Sequence, residues 1–322
     1  MKKTLLILKI SCLILGLSAA FFYGYIQNLI NREIPIDEPK IIQIAKGESL
    51  RKIADNLQEN GLVEKAYFFE IYSKINKIYP QIKAGEYLIA ESVSLKKLAN
   101  ILTSGKVYLR KITFAEGLTI REIAEILYNN NLLDVDFSIP PEGYFLPETY
   151  TFSRGEMRQN IVEQGQKALQ DFLQSAWDNR EQNLPLKNKE ELLILASIVE
   201  KETGVAAERP QVASVFINRL RKGMLLQTDP TVIYALTKGQ KELERPLTRK
   251  DLTIDSLYNT YKYAGLPPGP ICNPGKASIL AASHPDKTPY LYFVASGNGG
   301  HNFARTLSEH NENVRKWRIL SK

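Results

Sequence analysis

Residues 191–204 run Glu191-Leu192-Leu193-Ile194-Leu195-Ala196-Ser197-Ile198-Val199-Glu200-Lys201-Glu202-Thr203-Gly204. From Leu192 to Val199 every residue except Ser197 is apolar. That run covers every face of a helix, the mark of a segment buried on all sides rather than one lying on a surface. The pattern predicts a core helix over 189–203 with Gly204 as its C-cap. Two carboxylates therefore emerge where a core helix ends. Burial and the negative end of the helix dipole both disfavour the charged form of a carboxyl group. A carboxyl poised near neutrality can give and take a proton, which is what general acid/base chemistry needs. Glu200 and Glu202 lie two positions apart, about 200° around the helix, so one pocket cannot hold both. Glu200 is in register with Leu193 and Ser197, and Glu202 with Leu195 and Val199. The register leaves both open, as it does the plain reading of solvated carboxylates paired with Lys201 or Arg209.

On either side of this segment, helices are expected over 158–177, 209–221 and 308–320. Gly223, a glycine just after a basic last turn, closes the second of these. Asp229-Pro230 has the pattern of an N-cap and first-turn proline opening a helix over 231–236. Strands at 290–295 and 301–305 flank Ser296-Gly297-Asn298-Gly299-Gly300, a hairpin loop; a phosphate-binding loop would need a following helix. His284, His301 and His310 show no metal-ligand spacing, so neither metal nor cofactor is expected.

Towards the N-terminus one pattern recurs three times: Ser49-Leu50-Arg51-Lys52-Ile53-Ala54, Ser94-Leu95-Lys96-Lys97-Leu98-Ala99 and Thr119-Ile120-Arg121-Glu122-Ile123-Ala124. Each opens on a hydroxyl that can cap a helix, followed by apolar residues at helical spacing. Around the first copy, Ile42 to Ala45 reads as a strand, Lys65 to Lys74 as a second helix and Lys83 to Ile89 as a returning strand. This βααβ order, with Gly47-Glu48-Ser49-Leu50-x-x-Ile53-Ala54, resembles a LysM domain, a module that binds glycans containing N-acetylglucosamine. The simpler reading of the pattern is a capped amphipathic helix with no ligand.

Met1-Lys2-Lys3 precedes an apolar stretch in which Ile10 to Ile30 carries no formal charge. At about 1.5 Å per residue, such a helix spans a hydrocarbon core of roughly 30 Å. Ser18-Ala19-Ala20 imitates a signal-peptide cleavage site, but Phe21-Phe22-Tyr23 continues the apolar run beyond it. A lipoprotein reading of Cys12 meets Lys9 where an apolar residue is needed. A retained anchor is expected, its positive end in the cytoplasm and the rest of the chain outside. Only one further cysteine, Cys272, occurs, so the soluble part has no intrachain disulfide framework. The net charge of +7 suits an anionic membrane or an acidic polymer, and the absence of basic runs or zinc spacing argues against nucleic acid.

Glu200-Lys201-Glu202-Thr203, Val215-Phe216-Ile217-Asn218-Arg219-Leu220 and Leu226-Gln227-Thr228-Asp229-Pro230-Thr231 resemble the hallmark blocks of the YceG-like, or MltG-type, endolytic murein transglycosylases. So do Tyr258-Asn259-Thr260-Tyr261, Gly265-Leu266-Pro267-Pro268-Gly269, Asn273-Pro274-Gly275 and Tyr290-Leu291-Tyr292-Phe293-Val294. The resemblance implies lytic cleavage of the β-1,4 bond between N-acetylmuramic acid and N-acetylglucosamine inside nascent strands. It leaves 1,6-anhydromuramic ends and terminates elongation. It places the acid/base at Glu200, with Gln227, Asp229, Asn259, Tyr261 and Tyr292 as candidate substrate contacts. For Asp229 the capping role competes; facing the cleft, it would favour hydrolysis instead.

The expected fold class is α+β. A short cytoplasmic tail (1–9) precedes a single transmembrane helix (10–30) and a linker (31–37). A LysM-like βααβ module (38–105), a connecting segment (106–155) and an α+β lytic transglycosylase catalytic domain (156–322) follow. The expected partners are peptidoglycan glycan strands, the cytoplasmic membrane and peptidoglycan synthases. The competing readings are a noncatalytic wall-binding or divisome scaffold and a muramidase-type hydrolase.

Overall fold

The computed structural model of the protein describes residues 2–240, 243–297 and 299–320. Its first element, α1 (Lys2–Asn31), contains the stretch Lys9–Asn31, long and apolar enough to cross a membrane. Then come β1 (Lys40–Ile44), α2 (Leu50–Glu59), α3 (Ala66–Ile75), β2 (Gly85–Ile89) and α4 (Leu95–Thr103). β1 and β2 pair antiparallel, with Ile42 opposite Tyr87. Ile42, Ile53, Leu57, Phe69, Tyr87 and Leu98 are fully buried between this ribbon and the helices. The expected caps form: Ser49 Oγ accepts the Lys52 N–H and Ser94 Oγ the Lys97 N–H, each at 3.3 Å. The segment after α1 is tied down. Ile34 and Val93 exchange backbone hydrogen bonds of 2.8 and 3.2 Å, and Arg32 pairs with Glu64 at 2.7 Å.

The chain divides into two compact units, Met1–Arg110 and Lys111–Lys322. β3 (Arg110–Thr113) begins at the boundary and pairs with β5 (Thr149–Phe152). Between them lie α5 (Ile120–Tyr128) and β4 (Leu133–Asp134), which pairs in parallel with β6 (Glu156–Met157). The region expected to be a connection is thus largely part of the second unit. Its own core includes Phe114, Phe145, Tyr150 and Phe152.

That core rests on α6 (Arg158–Asp178). A Cβ on Gly165 would stand 2.2 Å from the Phe145 ring, so only glycine lets the helix pass this close. The main core gathers around α7 (Lys189–Glu202), α8 (Arg209–Arg221) and α10 (Lys276–Ser283), with α9 (Asp229–Thr237) alongside. Every residue from Leu192 to Val199 is buried, as the unbroken apolar run requires. Its one polar member is satisfied: Ser197 Oγ donates to Ile194 O at 2.7 Å and accepts the Ile271 N–H at 3.1 Å. Gly223 closes α8 at φ +64°, where its freedom from a Cβ is needed. β7 (Tyr292–Ala295) and β8 (His301–Ala304) form the expected antiparallel hairpin, and α11 (Leu307–Leu320) is the last described element. Asn298, in the hairpin loop, lies outside the described residues.

Two local expectations change. α7 is capped by Thr203 in an extended conformation, not by Gly204. α9 is capped by Thr228, which places Asp229 inside the first turn. Its carboxylate is therefore free of the backbone and available elsewhere.

Candidate active site

The last turn of α7 sends three consecutive side chains in three directions. Glu200 Oε2 accepts the Gly275 N–H at 2.9 Å, and its Oε1 lies 3.6 Å from Arg209 Nη2. With its side chain only 6% exposed, Glu200 is a buried structural tie to the Asn273-Pro274-Gly275 turn. Lys201 lines a cleft of about 530 Å³ beside α5 and α9. Glu202 lines another of about 390 Å³, together with Arg219, Gln227, Asp229, Tyr261 and Tyr292.

The Glu202 carboxyl is pushed up to about 7, first by burial and further by the Asp229 charge. Thr228 Oγ1 donates a short hydrogen bond to Glu202 Oε1, which opposes that rise. At neutral pH such a group is present in both protonation states, as a residue that must act as acid and then as base requires. Of the two carboxyls at the end of α7, Glu202 is thus the one that burial holds near neutrality.

The cleft is built from distant parts of the chain. Tyr261 donates its hydroxyl hydrogen to Asp229 Oδ1 at 2.6 Å, so Asp229 faces the cleft instead of capping α9. Burial and that carboxylate hold the Tyr261 phenol well above its ordinary range. Gln227 sits at φ +48°, a left-handed conformation that costs energy for a residue with a Cβ. Its N–H donates to Thr260 O at 3.1 Å, which fixes it beside the Tyr261 loop. Asn259 stands apart from its expected sugar-contacting role. It is fully buried, donates to Leu252 O and Ile254 O at 3.0 and 2.9 Å, and accepts the Tyr261 N–H at 3.0 Å. It shapes the loop that carries Tyr261.

The model of the YceG-like family matches residues 42–316. The chain belongs to the YceG-like family. Over 309 residues it is 36% identical to the endolytic murein transglycosylase of Bacillus subtilis strain 168, covering 86% of this chain and 84% of that protein. Over 348 residues it is 29% identical to the endolytic murein transglycosylase of Streptococcus pneumoniae, covering 92% of this chain and 62% of that one. A crystal structure of a YceG-like protein from Listeria monocytogenes superposes with a TM-score of 0.50 at 32% identity, across 85% of this chain and 99% of that one.

In this YceG-like chain the site also holds residues that sequence patterns pass over. Arg219 is buried, donating from Nε to Leu291 O and from Nη1 to Leu226 O, both at 2.7 Å. Its guanidinium lies 5.2 Å from the Tyr292 ring centroid, a cation–π arrangement that backs the cleft wall. On the same ring stacks His310, at 5.3 Å and 26°. Burial, then Arg219, lowers the His310 pKa, so its imidazole is neutral at neutral pH. Outside that cleft, the half-buried Glu142 is likewise raised to about 7, first by desolvation, while it accepts the Ile120 N–H at 2.9 Å and an Asn273 Nδ2–H at 3.1 Å. Both of those partners are scaffold. Arg219 sits in the quoted block Val215 to Leu220, a signal that could have marked it; Glu142 and His310 have no pattern of their own.

Proposed function

We propose that this protein is an endolytic peptidoglycan transglycosylase in which Glu202, rather than Glu200, is the acid/base. One observation carries the assignment. Glu202 is the carboxyl held near neutrality on the cleft that also gathers Gln227, Asp229, Tyr261 and Tyr292. The relatives' names support the substrate, the glycan strand of peptidoglycan.

The reaction needs one carboxyl group. Protonated Glu202 gives its proton to the glycosidic oxygen as the bond from muramyl C1 breaks. The resulting carboxylate then takes the proton of the muramyl C6 hydroxyl as that oxygen bonds to C1. The products are a 1,6-anhydromuramic end and a free N-acetylglucosamine hydroxyl, with no water consumed. Tyr261, Tyr292 and Gln227 present faces and donors to the sugar ring and its N-acetyl group.

The 21-residue charge-free run after Met1-Lys2-Lys3 supports a cytoplasmic N-terminus and an extracytoplasmic catalytic unit. There the strand synthases are the fitting partners, and cutting would terminate elongation. Residues 38–105 are proposed as a LysM-like glycan-binding module.

The test is a digest of purified glycan strands read by mass spectrometry. Glu202→Gln is expected to lower anhydro ends at least roughly a hundredfold, the scale of lost acid/base catalysis. Glu200→Gln should retain them. The opposite pattern would return the role to Glu200. Reducing ends in place of anhydro ends would favour hydrolysis, the reading that Asp229 in the cleft supports. No cleavage by the unaltered protein would leave a wall-binding scaffold.

A further inference from the structure

Helix α3 is apolar on two sides. It buries Phe69 against the first unit's core, while Tyr67, Ile71 and Ile75 are 52, 53 and 74% exposed. Those three positions repeat every four residues and so share one face. Part of that face opens onto a cleft of about 730 Å³ whose other wall is α1. Phe22, Ile26 and Ile30 of α1 face Phe68, Ile71 and Ile75 of α3 across it.

Depth decides what fills this space. Phe22 lies eight residues before Ile30, about 12 Å down the helix axis. The charge-free run Ile10 to Ile30 is only just long enough for a hydrocarbon core of roughly 30 Å, so Phe22 must sit within it. Side chains of α3 lining the same cleft are therefore at the level where acyl chains meet headgroups. The two helices are not hinged freely, since the Arg32–Glu64 pair and the Ile34–Val93 bridge join the end of α1 to the body of the unit. Exposed Lys74 lies on α3 itself and exposed Lys96 lines the cleft; Glu70 lies 3.7 Å from Lys74. Cations beside an apolar stripe suit a surface of lipid phosphates.

We infer that the Tyr67–Ile71–Ile75 face of α3 is seated in the same bilayer that α1 enters, with lipid acyl chains filling the cleft between the two helices. This rests on α1 spanning the membrane. The module is then a monotopic element docked on the membrane as well as a passenger on an anchor.

The test uses the full chain with Cys12→Ser, reconstituted in phosphatidylethanolamine and phosphatidylglycerol vesicles. Cys272 is buried and does not compete for label. Nitroxide labels are placed singly at Ile75→Cys, at Leu15→Cys in mid-anchor and at Lys52→Cys, whose side chain is 75% exposed on α2. Collision with oxygen reports lipid, and collision with a water-soluble nickel complex reports solvent. At position 75 the nickel collision rate should be at least roughly fivefold below that at position 52, as expected for a helix buried about 5–10 Å into the interface. A water-like position 75 with a lipid-like position 15 overturns the docking alone, whereas a water-like position 15 removes the anchor on which it rests. Broadening between labels at position 75 that disappears on dilution with unlabelled chain would mean that a second copy covers the face, and would overturn the proposal too.

Discussion

Glu202→Gln should stabilise the second unit at alkaline pH while destroying its chemistry. The Glu202 carboxyl rises from 4.5 to about 7 because burial penalises its charge. In the unfolded chain the same group ionises near its ordinary value. Below that value both states are protonated and folding carries no penalty. Between it and pH 7 the unfolded chain sheds the proton first, so stability falls as pH rises, and the full cost is present once the folded carboxyl also ionises. A tenfold change in acidity corresponds to about 1.4 kcal/mol, so a rise of this size sets an upper bound of roughly 3 kcal/mol. Solvent at the cleft mouth screens part of the charge, leaving about 1–3 kcal/mol. Glutamine has no charged form and its amide oxygen can still accept from Thr228. The variant should match the parent near pH 4.5 and exceed it at pH 8, by roughly 3–10 °C in Tm for a unit of this size. Both tryptophans, Trp177 and Trp317, lie in the second unit, so their fluorescence during thermal unfolding follows it. A difference that is the same at both pH values, or a variant less stable at pH 8, would mean that burial does not hold the Glu202 carboxyl near neutrality.

The raised Glu202 carboxyl also predicts that kcat/KM for anhydro-end formation falls about tenfold for each pH unit above 7, as the acid form is lost. Asp229→Asn should move that alkaline limb to lower pH, because the Asp229 charge helps raise Glu202; a pH–rate profile of the variant decides it. Glu200→Ala removes the acceptor of the Gly275 N–H and a counter-charge of Arg209. It should cost about 1–3 kcal/mol of stability in thermal melts yet keep turnover within a few-fold. Asn259→Ala leaves two carbonyls without donors and the Tyr261 N–H without its acceptor. A loss of roughly 2–4 kcal/mol is expected, with KM rising more than kcat falls as Tyr261 loosens.

The elements that sequence patterns mark most clearly are those with a local cause. α7 follows from its apolar run, and α2, α4 and α5 from a hydroxyl cap ahead of a buried stripe. What escapes them is set by residues far along the chain. On a helix buried on every face, no polar side shows which way a terminal carboxylate will point. Glu202 finds Thr228, and Glu200 finds Gly275 seventy-five residues away. Asp229-Pro230 has the composition of a cap, but a cap one residue earlier leaves its carboxylate to Tyr261. Asn259 lies in a block rich in site residues, yet nothing local distinguishes a side chain that touches ligand from one that folds the loop around it.

Asn273 carries a consequence for the order of assembly. Its N–H donates to Leu118 O at 2.8 Å, its carbonyl accepts the Gly117 N–H at 2.9 Å and its Oδ1 accepts the Phe145 N–H at 3.1 Å. Nδ2 reaches Leu118 O, across a separation of 155 residues, and Glu142. At about 5–20 residues per second, that separation is roughly 8–30 s of synthesis. During that interval the segment from Lys111 onward has left the ribosome without the amide that closes its backbone groups. In the first unit β1 pairs with β2, and both strands lie within Met1–Arg110. The nascent chain therefore passes through a stage in which the start of the second unit is made but still waits for Asn273, and that stage is where proteases and chaperones would find it.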